Sequence, residues 1–258
     1  MTKGIRLDLL ILERGLASSR SQAQLLIRAG RILLDGGICD QPGKTVNPGG
    51  QVELTAGPRY VSRGGEKLEA ALDKFPVVVR GRICSDVGSS TGGFTDCLLQ
   101  HGASRVYAID VGYGILAWSL RNDPRVVVLE RVNARHLKVL PEPIELVTAD
   151  ASFISLRLLM PAMIAWLATQ GEIVCLVKPQ FEAGRRDVGR GGVVRDPQVH
   201  RRVIADVVRA AEGLGLSVQG LLASPLIGPA GNREFLLWLR RQPAKTPWGE
   251  LLDQVVPP

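Results

Sequence analysis

Apolar positions over the first 56 residues read as two helical stretches followed by short β runs. One amphipathic pattern spans residues 7–15 and stops at Gly15. A second starts from the Ser18, Ser19 and Ser21 cluster and carries Leu25, Leu26 and Ala29 to Gly30. Hydroxyl residues ahead of an apolar run and glycine behind it are helix start and stop signals. Strand patterns follow at residues 31–35, 38–40 and 51–55, broken by Gly36-Gly37 and a Pro/Gly segment. Together these predict a small α+β domain over residues 1–57.

After a linker at residues 58–62 the pattern changes. A helix at 65–74 leads into β runs at 77–79 with 83–87, then 105–110, 125–130, 144–149, 172–178, 216–223 and 234–240, with helical patterns between most of them. Such alternation predicts an α/β domain over residues 63–242: a Rossmann-like, mainly parallel sheet with helices on both faces. Ligands of these sheets sit at the carboxyl ends of the strands, so candidate chemistry is sought there. Beyond Arg241, the prolines at 243, 247, 257 and Pro258 predict a loosely held tail over 243–258.

The chain has 258 residues and is 45% apolar, ample for a filled core. Its 32 Lys and Arg against 25 Asp and Glu leave a charge of +7, which favours a polyanionic partner, nucleic acid ahead of anionic membrane. No apolar stretch approaches the roughly 18–20 residues of a spanning helix. The run at residues 9–12 lies between Asp8 and Glu13 without a cleavage-site pattern, so a cytoplasmic protein with no membrane partner is expected. Four scattered cysteines and three scattered histidines form no C-x-x-C or H-x-x-x-H pattern, which argues against a disulfide framework and a metal site. Arg20 and Arg28 fall on roughly one face of the second helix and Arg31 follows at the strand entry. Such a stripe can track phosphates, although a solvated helix face would look the same.

Residues 86–93, Asp-Val-Gly-Ser-Ser-Thr-Gly-Gly, follow a strand and open a helix over 94–101, the setting of a nucleotide-like ligand. Ser90 stands where the dinucleotide fingerprint needs its second glycine, and a phosphate would meet the Asp86 carboxylate. Both features favour a phosphate-free ligand with a positive amino group, as in the methionine half of S-adenosylmethionine. The candidate contacts are Asp86, Gly88, Ser90, Thr91 and Gly92. Asp110 ends the next strand, 22 positions after Gly88, where an acidic residue reaches ribose hydroxyls. Asn133 and Ala134 end the strand after that, where a polar edge could meet adenine. Gly88 to Gly92 also fits the G-x-S-x-G nucleophile elbow with Ser90 as nucleophile. Its late histidine would be His200, which lies in a helical stretch over 197–211, and this disfavours a hydrolase.

Asp150 and Lys178 close strands at the carboxyl edge, Lys67 lies on the helix before the sheet, and Glu234 opens the last strand. The run 173–177 is wholly apolar, so the Lys178 amine emerges beside a buried wall. Desolvation and a neighbouring lysine would both favour the neutral amine, which can take a proton. Methylation of a ribose 2′-hydroxyl needs such help, worth roughly 10² to 10⁴ in rate. Asp150, also at the cofactor edge, and Glu234 would orient the lysines through ion pairs. Taken singly, each of the four could equally be an ordinary surface or ion-pair residue. Arg185, Arg186, Arg190, Arg195, Arg201 and Arg202 are threaded by glycines after Lys178, a mobile cationic loop or a plain connection.

Several stretches act together as a signature: Arg6-Leu-Asp8, Ser18-Ser-Arg20-Ser-Gln-Ala, Tyr60-Val-Ser-Arg-Gly-Gly-Glu-Lys67-Leu, the 86–97 loop, Ala149-Asp-Ala-Ser-Phe-Ile-Ser155, Lys178-Pro-Gln-Phe-Glu-Ala-Gly184 and Gly231-Asn-Arg-Glu-Phe235. The chain thereby resembles the TlyA family of ribosomal RNA 2′-O-methyltransferases, often labelled hemolysins. The resemblance implies an S-four-type RNA-binding domain followed by an FtsJ/RrmJ-like catalytic domain that uses S-adenosylmethionine. It implies a Lys-Asp-Lys-Glu tetrad at Lys67, Asp150, Lys178 and Glu234, and cytidines of ribosomal RNA within ribosomal subunits as substrates. Arg6 and Arg20 match basic positions that the family uses on RNA; Arg28, Arg31, Arg63, Arg185 and Arg186 complete the RNA-binding candidates. Tyr60 stands where some members carry Trp, and Ser85 and Ser89 replace commoner apolar or small residues. The competing readings are a membrane-active hemolysin, which lacks an amphipathic or spanning segment here, a non-catalytic RNA-binding protein, and a pseudouridine synthase, whose Gly-Arg-Leu-Asp motif is missing.

Overall fold

The computed structural model describes residues 4–28, 30–55 and 57–257; Ala29 of the expected second helix and Pro258 of the expected tail lie outside them. The chain divides into two compact units, Met1–Arg59 and Tyr60–Pro258.

The first unit contains β1 (Ile5–Arg6), α1 (Leu7–Glu13), α2 (Arg20–Arg28), β2 (Ile32–Leu34), β3 (Gly37–Ile38), β4 (Thr45–Val46) and β5 (Val52–Leu54). The serine cluster starts α2 as its chemistry demands. Ser19 Oγ accepts the Gln22 N–H at 3.2 Å, and Gln22 Oε1 accepts from the Ser18 N–H and hydroxyl, a variant of the capping box. Leu7, Leu10 and Ile11 of α1 meet Ala23 and Ile27 of α2 in a core of the unit's own. β2 pairs antiparallel with β3 and β5. The pairing of β1 with β4 has no counterpart in the predicted elements, because strands of two residues leave no periodicity to read.

In the second unit α3 (Gly64–Lys74) precedes β6 (Ile83–Val87), α4 (Gly93–Gln100), β7 (Arg105–Asp110), α5 (Trp118–Arg121), β8 (Val126–Glu130), β9 (Ile144–Ala149), α6 (Leu156–Trp166), β10 (Leu167–Val177), α7 (Pro179–Glu182), α8 (Pro197–Gly213), β11 (Ser217–Ala223), β12 (Phe235–Arg240) and α9 (Trp248–Val255). The strands form one sheet in the order β11-β12-β10-β9-β6-β7-β8. From β10 to β8 all neighbours run parallel, and β12 runs antiparallel to both β10 and β11. Each face buries its own core: Leu68, Ala71 and Leu98 from α3 and α4 on one side, Met160, Met163, Ile204 and Val207 from α6 and α8 on the other. The chain leaves β6 toward β7 but later returns to β9 on the opposite side of β6. That reversal opens a crevice at the carboxyl ends of β6 and β9.

Two expectations are corrected. Residues 77–79 form no strand: Val77 and Val79 are buried and Val78 is exposed, which mimics β alternation. The backbone is instead spent locally, the Val77 N–H on Phe75 O and the Arg82 N–H on Val79 O. The loosely held tail is replaced over half of its length by α9. Leu252 and Val256 are buried in the sheet core, with Trp248, Leu251 and Val255 packed against it, and each buried side chain is worth roughly 1.5–3 kcal/mol.

Candidate active site

Three strand ends meet at the crevice. Asp86 lies near the end of β6, Asp150 directly after β9 and Lys178 directly after β10. They border a cavity of about 290 Å³ that is also lined by Lys67 from the first turns of α3 and by Glu234 at the head of β12. Five residues far apart in sequence thus converge, four at strand ends that the sheet topology aligns and Lys67 from the helix before the sheet.

Their charges alternate. Lys67 Nζ donates to Glu234 Oε2 at 2.6 Å and lies 4.0 Å from Asp150 Oδ2. Lys178 Nζ lies 2.6 Å from Asp150 Oδ1 and donates to Ser152 Oγ at 2.9 Å. Isolated buried charges are costly, and the alternation offsets that cost by giving each group an opposite neighbour. The lysine expected beside Lys178 is not its nearest charge, because Asp150 stands between the two amines.

The opposite wall is the loop after β6. Gly88 has φ +80°, and a Cβ there would come within 2.9 Å of both Asp150 O and Ala151 Cα, so only glycine lets this loop lie on the start of the β9 loop. Ser90, at φ +50°, is held by its N–H donating to Asp110 Oδ2 at 2.8 Å. Asp86 is fully buried, and its Oδ2 accepts from both the Thr95 N–H at 2.9 Å and the Thr95 hydroxyl at 2.7 Å. Burial pushes the Asp86 carboxyl up to about 7 against the Thr95 hydrogen bonds, and the nearby Asp150 and Asp110 carboxylates add to the rise. Asp86 Oδ1 is buried without a hydrogen-bond partner among the described residues. Such an acceptor costs about 1–3 kcal/mol, and the ammonium of an amino acid moiety would satisfy it.

Of the expected cofactor residues, Asp86, Gly88, Ser90, Thr91 and Asp150 line the cavity. Gly92 (φ +99°) lies behind the loop against Leu116 and Leu120. Asp110 orders the neighbouring loops, its Oδ1 accepting from the Gly112 N–H at 2.7 Å and its Oδ2 from Ser90. Asn133 Oδ1 accepts the Arg135 N–H at 3.0 Å and caps the short turn Ala134–His136, while Ala134 is buried in the core. These four are not on the cavity wall.

The arginine candidates separate by unit. Arg6 and Arg20 both bond Asp8, Arg28 is exposed at the end of α2, and Arg31 donates from Nε and Nη2 to Thr55 O at 3.2 and 2.6 Å. In the second unit Arg63 lines the cavity, and Arg185 and Arg186 are exposed in the turn Arg185–Asp187. The loop expected to be mobile has fixed points. Buried Asn232 accepts the Val194 N–H and donates to Gly192 O, each at 2.9 Å, and Arg202 pairs with Asp187.

His200 is inside α8, its Nε2 2.9 Å from Val194 O and its ring on Phe235; it does not line the cavity with Ser90, so the hydrolase reading fails. The cysteines are free and buried, and burial pushes the Cys84 and Cys175 thiols up to about 12, which leaves them inert packing groups. Three features of the site escaped the sequence reading. Ser152 bonds Lys178, Thr95 bonds Asp86, and Phe153, 90% exposed with φ +63°, leans on Phe181 with ring centroids 5.0 Å apart. Each lay inside a stretch of the signature, but a serine, a threonine or a phenylalanine announces nothing until its neighbour is known.

The reversed sheet, the glycine turn and the lysine–carboxylate chain are the frame of a methyltransferase. A family model described as FtsJ-like methyltransferase matches residues 60–241, and one described as S4 domain matches residues 5–52. A Mycobacterium tuberculosis protein named 16S/23S rRNA (cytidine-2′-O)-methyltransferase TlyA is 50% identical over 248 residues, covering 94% of this chain and 92% of that protein. A solved structure described as a hemolysin from Streptococcus thermophilus is 40% identical with a TM-score of 0.74, covering 98% of this chain and 96% of the other. An S-adenosylmethionine-dependent methyltransferase from Listeria monocytogenes, 17% identical with a TM-score of 0.54 over 70% of this chain and 100% of its own, shares the fold. The chain belongs to the TlyA family of FtsJ-like methyltransferases. No helix among the described residues is long and apolar enough to cross a membrane.

Proposed function

We propose that the chain transfers a methyl group from S-adenosylmethionine to the 2′-hydroxyl of a cytidine in ribosomal RNA, within ribosomal subunits. The observation that carries this reading is the alternating chain Glu234, Lys67, Asp150 and Lys178 facing a glycine turn with an unpartnered buried carboxylate oxygen. The Mycobacterium tuberculosis relative is named for cytidine 2′-O-methylation of 16S and 23S ribosomal RNA.

When bound, S-adenosylmethionine supplies a methyl group on a positively charged sulfur. Asp86 Oδ1 would accept from its ammonium, with Gly88, Ser90 and Thr91 alongside, Gly92 shaping the turn from behind and Asp150 at the edge. Asp110 would take the ribose hydroxyls, and Asn133 with Ala134 the adenine edge. Asp110 ends β7, the strand beside β6, and Asn133 and Ala134 follow β8, the next strand outward.

A neutral lysine amine has two N–H donors and one lone pair, and in that form Lys178 would direct its N–H groups to Asp150 and Ser152 and leave the lone pair free. A 2′-hydroxyl arriving on the remaining side gives its proton to Lys178 Nζ as the oxygen attacks. Asp150 Oδ1 then holds the ammonium so formed. Lys67, fixed by Glu234, balances the other side of Asp150 and keeps that carboxylate in place. Arg6, Arg20, Arg28 and Arg31 in the first unit, and Arg63, Arg185 and Arg186 in the second, would contact RNA phosphates.

Incubation with tritiated S-adenosylmethionine and unmodified ribosomal subunits, followed by mapping of the label, tests the reading. Label on a cytidine 2′-oxygen is expected; label on a base, or none, overturns it.

A further inference from the structure

Asp8 stands in the first turn of α1 with no side-chain surface exposed. A buried carboxylate is tolerated only when paired, and donors from three residues converge on this one. Arg6 Nε donates to Oδ1 at 3.0 Å and Arg6 Nη2 to Oδ2 at 2.9 Å, a two-pronged fork. Arg20 Nε donates to Oδ2 at 3.1 Å and Gln24 Nε2 to the same oxygen at 2.9 Å. The Arg6 guanidinium beside it holds the Asp8 carboxyl well below the usual carboxylate range despite its burial.

The arginines themselves are not buried: their side chains remain 44% and 51% exposed. Gly43 makes room for the first of them, since a Cβ there would come 3.3 Å from Arg6 Nη1. Each guanidinium has five N–H donors, and Asp8 takes two from Arg6 and one from Arg20. Two cations on one anion leave a local positive charge and several donors at a fixed spacing.

We propose that Asp8 is a positioning residue for RNA: its buried carboxylate holds Arg6 and Arg20 as a rigid pair of guanidinium groups that grips phosphodiester oxygens of folded RNA. The proposal rests on the reading of Arg6 and Arg20 as RNA contacts. Ordering two long side chains at the moment of binding weakens a complex roughly tenfold to a hundredfold, and Asp8 removes that cost beforehand. Fixed spacing also favours a folded RNA of matching shape over an arbitrary polyanion.

The full-length D8N variant separates these effects. It gains net positive charge and frees both arginines, so its affinity for poly(U) or heparin should equal or exceed that of the wild type. Its kcat/KM for methyl transfer to unmodified ribosomal subunits should fall about tenfold to a hundredfold. A purely structural role would move both measurements down together, and that result, or a folded D8N with wild-type kcat/KM, overturns the proposal. Should D8N fail to fold, R6K and R20K decide, because lysine keeps the charge and can still pair with Asp8 but loses the fork. Both should lower kcat/KM on subunits about tenfold with the thermal midpoint and S-adenosylmethionine affinity unchanged; wild-type turnover by both overturns the proposal. Arg6→Ala and Arg20→Ala identify which claim has failed. If both methylate subunits at the wild-type kcat/KM, the RNA contacts are wrong and the anchor falls with them. If they are impaired while D8N is not, only the anchor is wrong.

Discussion

If Asp86 holds the cofactor ammonium as proposed, one buried carboxyl should tie cofactor binding to pH. Its pKa of about 7 in the fold lies above the ordinary 3.8, so between these values the folded chain keeps a proton that the unfolded chain has lost. Stability of the ligand-free protein contributed by this group therefore falls as pH rises from about 4 to about 7. A cationic amino group needs the ionised carboxylate, so its affinity should move the opposite way. Calorimetry should show S-adenosylmethionine binding weakening by up to about tenfold per pH unit below 7 and levelling off above it. Asp86→Asn should abolish that slope, weaken binding at about pH 8 and leave the apo protein no less stable; a flat wild-type profile would sink the assignment. Lys178 makes a separate prediction. Lys178→Ala should lower turnover by about 10² to 10⁴ with cofactor affinity nearly intact, and wild-type turnover would remove it from the proton step. The tetrad was legible as four single residues because each sits at the edge of a predicted strand or on the helix before the sheet. That the two carboxylates pair with the lysines was legible too, but not their order, since which carboxylate stands between the lysines depends on strand order, a property no local pattern encodes.

At the level of elements, the parallel strands announced themselves as apolar runs, and Ser19 and Gly15 marked helix boundaries by chemistry alone. The failures have equally specific causes. Val77 and Val79 alternate with Val78 because a bent connection can bury every second residue, and alternation does not reveal whether a ladder partner exists. In α9 the spacing of Trp248, Leu251, Leu252, Val255 and Val256 is helical, but the surrounding prolines read as breakers. Pro247 in fact precedes the first turn, where its missing N–H costs nothing. The arginine loop between α7 and α8 is likewise more ordered than its glycines implied, because Asn232 supplies both a donor and an acceptor to its backbone. Asn232→Ala would strand the Val194 N–H and the Gly192 carbonyl. The expected result is a loss of about 1–3 kcal/mol in denaturant unfolding, faster proteolysis at the arginines of the loop, and weaker subunit binding with unchanged cofactor affinity. Unchanged proteolysis would show that Asn232 does not order the loop.

The whole molecule joins two units with separate cores, one matching an S4 domain and the other an FtsJ-like methyltransferase. The division was legible in the change of rhythm near residue 57. The cavity, from Ser62 to Glu234, belongs entirely to the second unit. The elements that line it, and the core beneath them, are also complete there. A fragment of residues 60–258 should therefore fold and bind S-adenosylmethionine with the affinity of the full chain. It should fail differently on RNA: if Arg6, Arg20, Arg28 and Arg31 contact phosphates as proposed, their loss removes part of the interface, and a tethered second contact typically contributes a factor of 10² to 10⁴. Subunit methylation by the fragment should lose at least about 10² in kcat/KM, and the salt dependence of its binding should be shallower because fewer counterions are released. The converse result, a fragment that no longer holds the cofactor but binds subunits with the affinity and salt dependence of the full chain, would mean that the first unit serves the pocket and not the RNA. Calorimetry with the cofactor and a binding assay with ribosomal subunits on one preparation distinguish the two, because each division of labour lowers only one of the two affinities.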